Sequence, residues 1–98
     1  MARILSIAGD SDYLARCNRV LACSGHVVRG ISRRAQIAAA LAEGGFDLVI
    51  IWDDLPAGYA EALRAEITAL APQLPVLLPA GVPVSELAGS LGQLPRAA

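Results

Sequence analysis

The stretch FDLVIIWDDLP, Phe46 to Pro56, places two adjacent carboxylates, Asp53 and Asp54, after a nearly continuous apolar run. A second acidic turn, Gly9-Asp10-Ser11-Asp12, follows another apolar run near the start of the chain. Carboxylates gathered at strand ends can do two kinds of chemistry. They can hold a hard divalent cation through oxygen, or one of them can attack phosphorus and carry the phosphoryl group. Trp52 stands between the apolar run and the acids, where neither chemistry has a use for an indole. Other reactive groups lack company. His26, the lone histidine, enters an apolar segment with no acid or nucleophile beside it, and Ser6, Ser11 and Ser24 have no Ser-His-Asp context. No pair of titratable groups in opposed environments is evident, so no enzymatic activity is expected.

The elements that must position these groups follow from hydrophobic period and breakers. Residues 4–8 form a short apolar strand, closed by Gly9 and by Asp10-Ser11-Asp12, all good N-cap types. Tyr13, Leu14, Cys17, Val20 and Leu21 then recur at helical spacing, with Arg16 and Arg19 on the other face and Gly25 as the stop. A second strand covers residues 26–31. Ser32 is expected to cap a helix over 33–43 that buries Ile37, Ala40 and Leu41 and ends at Gly44-Gly45. Residues 46–51 or 52 make a third strand, apolar throughout apart from Asp47, and so central and covered on both faces. A helix over 58–71 presents Tyr59, Leu63, Ile67 and Leu70 to the core. Pro72 and Pro75 bracket the turn into a fourth strand, 76–78, and a weaker helix is expected over 84–94.

The order βαβαβαβα specifies a parallel α/β sheet with helices on both faces. Right-handed crossovers, with the first helix alone on its face, give the strand order 2-1-3-4. This is a doubly wound, flavodoxin-like sheet whose ligand position lies outside the carboxyl ends of strands one and three. Asp10, Asp12, Asp53 and Asp54 should crowd that edge. Like charges at close range cost energy unless a cation or solvent relieves them. A weak divalent-cation site using Asp10, Asp53 and Asp54 and a set of solvated turn and cap carboxylates are both open.

Composition narrows the partners. The chain has 98 residues, 55% of them hydrophobic and 17% charged, with a formal net charge of -1. That balance argues against nucleic acid, which needs a basic face. All eight basic residues are arginines, and there is no lysine. Cys17 and Cys23, six apart on one helix, should face different ways as reduced thiols. No apolar run approaches a membrane span and no signal-peptide pattern opens the chain, so a cytoplasmic protein without membrane contact or cofactor is expected.

At this point the chain resembles the receiver domain of bacterial response regulators over roughly residues 2–80. The resemblance is carried by Arg3-Ile4-Leu5, Gly25-His26-Val27-Val28, Phe46 to Ile51 before an acidic turn ending in Pro56, and Pro75-Val76-Leu77-Leu78. It implies a specific set of site residues. Receivers phosphorylate themselves on an aspartate at the end of strand three. Two carboxylates after strand one hold Mg²⁺, and a hydroxyl after strand four and a lysine after strand five clamp the phosphoryl oxygens. On that pattern Trp52 takes the phosphoacceptor position, Ala8 and Gly9 take the acidic pair with Asp10 as neighbour, and Ala80 takes the hydroxyl. The lysine has no counterpart, and Arg96 lies near the terminus. The pocket is therefore degenerate, with Asp53 or Asp54 able to serve only if strand three slips or bulges.

The resemblance also implies five βα units, whereas residues 1–98 are expected to form a single domain one unit short. The segment Pro83-Val84-Ser85-Glu86-Leu87 is similar to the family's last helix, expected to return beside the first. The family's dimerisation and output face is what this would remove. A phosphorylation-independent pseudo-receiver follows as the first functional reading: a protein-interaction module in bacterial signalling, homodimeric through strand-four edges or apolar helix surfaces. The second is a small-ligand or divalent-cation binder in the crevice between Gly9-Asp10-Ser11 and Trp52-Asp53-Asp54. Trp52 itself has two roles open to it, a plug for the vacated pocket or a partly exposed anchor for a partner.

Overall fold

The computed structural model describes residues 3–52, 54–56 and 58–78. The elements run β1 (Arg3–Ile7), α1 (Ser11–Cys23), β2 (Val27–Ile31), a 3-10 turn (Arg34–Gln36), α2 (Ile37–Glu43), β3 (Leu48–Ile51), α3 (Tyr59–Leu70) and β4 (Val76–Leu77). All pairings are parallel, and the sheet order is β2-β1-β3-β4, as the crossover argument required. The helix expected over 84–94 lies outside the described residues.

Strand alternation divides the interior into two cores. Ile4, Ala8, Leu48, Ile50 and Trp52 face α1, which contributes Leu14, Cys17 and Leu21. Leu5, Ile7, Ile31, Val49 and Ile51 face the other way, against Ile37 and Ala40 of α2 and Leu63 and Ile67 of α3. Every residue of β3 is buried, which explains why its sequence does not alternate: a central strand covered on both faces needs apolar side chains at each position.

Several boundaries differ from expectation, each for a local reason. The strand β3 begins at Leu48 because Asp47 turns its carboxylate to accept the Arg3 N–H at 2.9 Å, while its own N–H reaches the Arg3 carbonyl at 2.8 Å. Ser32 does not cap the second helix. Arg33 keeps an extended backbone (φ -127, ψ 130), so a 3-10 turn intervenes and neither it nor α2 has a side-chain cap. Leu70, expected in the core, is 54% exposed. It is the last residue of α3, and β4 spans only two residues, so the final helical turn overhangs the described sheet. Gly30 of β2 marks the closest approach of α1: a Cβ there would stand 2.5 Å from Asn18 Nδ2 and 3.2 Å from Leu14 Cδ2.

Candidate functional site

The carboxyl ends of β1 and β3 bring together Ala8, Gly9, Asp10, Trp52 and Asp54. Asp53 and Ala80, the other two positions singled out in the sequence, lie outside the described residues.

The position after β3 is filled by Trp52, which is 2% exposed. Its backbone N–H donates to the Ile7 carbonyl at 2.9 Å, extending the β1–β3 ladder by one step beyond the strand. That step sends the indole into the α1-side core beside Ala8 and Leu14. The indole Nε1–H donates to the Ser6 hydroxyl oxygen at 2.7 Å, and Ser6 is itself fully buried. Tyr13 from the first turn of α1 meets the ring edge-on, with centroids 6.3 Å apart at 75°. A buried Trp needs a partner for its N–H, and the one hydroxyl in β1 supplies it. This burial rules out the exposed-anchor role and assigns Trp52 to packing.

Ser6 is the site residue that sequence reasoning missed. The signal was present: a lone serine inside Ile4-Leu5-Ser6-Ile7 shares the face of Ala8 and Trp52, because alternate residues of a strand point the same way.

The acids are engaged with the backbone. Asp54 crosses the crevice to accept the Gly9 N–H at 3.0 Å (Oδ1) and 3.1 Å (Oδ2) and the Asp10 N–H at 2.8 Å (Oδ2). Asp10 is the N-cap of α1, its Oδ1 accepting the Asp12 N–H at 3.2 Å. Among the described residues no group of three His, Cys, Asp or Glu side chains is placed to hold a metal ion. Gly9 is required less for a ligand than for this turn, since a Cβ on it would lie 3.0 Å from Leu55 Cδ2. Leu55 thus lies against the turn that ends β1.

Elsewhere the chemistry-bearing residues are dispersed. His26 is buried, and its backbone N–H donates to the Leu21 carbonyl at 3.3 Å. Cys17 is buried in the α1 core and Cys23 is exposed, on different faces as their spacing required, and no disulfide joins them. Arg29 and Glu43 form an exposed pair at the β2 edge. The hydrogen bond from Arg29 holds the Glu43 carboxyl below its ordinary range, against a smaller opposing desolvation. Among the described residues no helix is long and apolar enough to cross a membrane.

By sequence, no protein-family model and no curated protein matches the chain. Its three-dimensional likenesses are plain. A response regulator receiver domain protein from Clostridium thermocellum superposes with a TM-score of 0.75 at 18% identity, over 95% of this chain and 93% of that one. A pilus assembly protein (cpaE) from Burkholderia thailandensis gives 0.67 at 22% identity, over 95% and 97%. A transiently phosphorylated "switch" of bacterial signal transduction gives 0.67 at 23% identity, over 99% of this chain and 77% of that one. The fold is that of a response-regulator receiver domain.

Proposed function

We propose that this chain is a phosphorylation-independent pseudo-receiver, an interaction module of bacterial signal transduction that works through protein contacts as a homodimer. The observation that carries the reading is Trp52. The residue directly after β3, where the fold's phosphoacceptor aspartate belongs, is a buried indole hydrogen-bonded to Ser6 at 2.7 Å. An indole offers no nucleophile for phosphorus, and this one is committed to the α1-side core.

The surroundings support the same conclusion. Ala8 and Gly9 stand where metal-binding carboxylates are required, and the chain contains no lysine to clamp a phosphoryl oxygen. Catalysis of phosphoryl transfer is almost entirely positioning and electrostatic stabilisation. Losing acceptor, metal ligands and cation together leaves the reaction without a mechanism. What remains is a surface, and the function of a fold without a reaction centre lies in what it touches. A small-ligand or cation site in the acidic crevice has less support, since Asp54 is turned inward to amides and Asp10 to its own helix.

Light scattering across a concentration series, repeated with Mg²⁺ and acetyl phosphate, tests the proposal. A dimer of constant mass under all conditions is the expected result. A monomer throughout would remove the homodimer, and a mass that shifts with the phosphoryl donor would remove phosphorylation independence.

A further inference from the structure

The crevice of a phosphorylated receiver is bridged by a cation held between carboxylates. Here the polarity is reversed. Among the described residues, the groups facing one another are the backbone N–H donors of Gly9 and Asp10, at the entry to α1, and the Asp54 carboxylate from the opposite turn. Three contacts of 2.8 to 3.1 Å join residues 44 and 45 positions apart in the chain. Hydrogen bonds from N–H groups to an ionised oxygen are about twice as strong as neutral ones, and the N-terminal end of a helix adds a favourable dipole for a negative group.

We infer that Asp54 is a built-in latch: an internal anion that closes the β1–α1 turn onto the β3–α3 turn and fixes the crevice in one state without metal or phosphoryl group. The inference rests on the proposed pseudo-receiver reading and supplies its conformational counterpart. A fold whose two active-site turns are normally bridged from outside carries its own bridge. Asp54 is exposed, yet its carboxylate is directed at the amides, and Leu55 next to it leaves little room for any side chain at Gly9. The two turns are therefore joined by one charge-assisted contact set, from the Gly9 and Asp10 amides to Asp54.

The latch has consequences that a solvated turn carboxylate would not. In the intact protein the Gly9 and Asp10 amides should exchange with solvent more slowly than those of unbonded turn residues. In Asp54→Asn, which keeps the shape but not the charge, their exchange should accelerate roughly tenfold or more, the scale of one lost charge-assisted bond. In Asp54→Ala, acetate should restore part of the lost protection in a saturable manner, whereas acetamide, or sodium chloride at equal ionic strength, should not. Mg²⁺ should have no effect on either variant. Hydrogen exchange followed residue by residue by nuclear magnetic resonance reads all of this.

Unprotected Gly9 and Asp10 amides in the intact chain would overturn the latch without any variant. Unchanged exchange in Asp54→Asn, or equal rescue by acetamide or salt, would overturn it as well. A phosphorylated but unlatched protein, by contrast, would remove the pseudo-receiver reading itself, so the two failures are distinguishable.

Discussion

Replacing Ser6 by alanine deletes one oxygen and should cost far more than its size suggests. The hydroxyl lies in the α1-side core at zero exposure and accepts the Trp52 indole N–H at 2.7 Å. With Trp52 only 2% exposed, solvent cannot replace the lost acceptor. The N–H is then left with the desolvation penalty of an unsatisfied buried donor, ~1–3 kcal/mol. Against a total stability of ~5–15 kcal/mol for a domain, that is a visible drop in the urea midpoint with unchanged slope. Trp52→Phe removes the donor as well as part of the ring volume, so it should lose a fraction of the ~3–5 kcal/mol typical of full aromatic truncation. The pair separates packing from hydrogen bonding. In the double variant both polar groups are gone, and the losses should fall short of additivity by ~1 kcal/mol, within the range of contacting pairs. Urea denaturation followed by far-UV circular dichroism suits all four proteins, since it does not depend on the indole. A Ser6→Ala loss inside the ~0.5 kcal/mol scatter of neutral substitutions, together with an additive cycle, would refute the bond and the account of Trp52 as a seated plug.

Other sites give independent checks. Gly30→Ala should destabilise by ~1–3 kcal/mol, because its Cβ meets Leu14 at 3.2 Å as well as the more yielding Asn18 amide at 2.5 Å; thermal denaturation measures it. Ile67→Ala should cost ~2–5 kcal/mol, while Leu70→Ser, on the same helix but 54% exposed, should stay within ~0.5 kcal/mol; denaturant titration of both compares a buried with an exposed apolar residue. The Arg29–Glu43 pair holds the Glu43 carboxyl low, so its contribution is present at neutral pH and is lost as pH falls through the folded carboxyl's lowered range. The stability difference between the parent chain and Glu43→Gln should therefore shrink on acidification, and a difference that grows would contradict the sign. It should be small throughout, since both groups are exposed.

Much of this architecture was legible because its determinants are local and periodic. The near-continuous apolar run from Phe46 to Ile51 marked a central strand, the Asp10 cluster marked a cap, and crossover handedness then left one strand order. What escaped required knowledge of where side chains end. Alternation puts Ser6 and Trp52, 46 positions apart, on the α1 face, but that they bond depends on the register of β1 against β3, which the spacing alone does not fix. The acids were legible as a cluster but not in their use. Sequence placed Asp10 and Asp54 at one edge, while the geometry turned each toward backbone N–H groups. Leu70 had the correct helical phase and failed because the described sheet ends before it does. Ser32 had the correct residue type and failed because Arg33 stays extended, one residue longer than a cap allows.

The proposal that this chain does not accept a phosphoryl group is tested most directly by intact-mass spectrometry. The protein would be incubated with Mg²⁺ and acetyl phosphate, alongside a receiver that accepts phosphoryl groups as the positive control. The account predicts a mass identical to that of the untreated chain while the control gains a phosphoryl group. A phosphoryl adduct mapped to Asp53 or Asp54 would contradict it, because one of those carboxylates would then have taken over the role that Trp52 vacates.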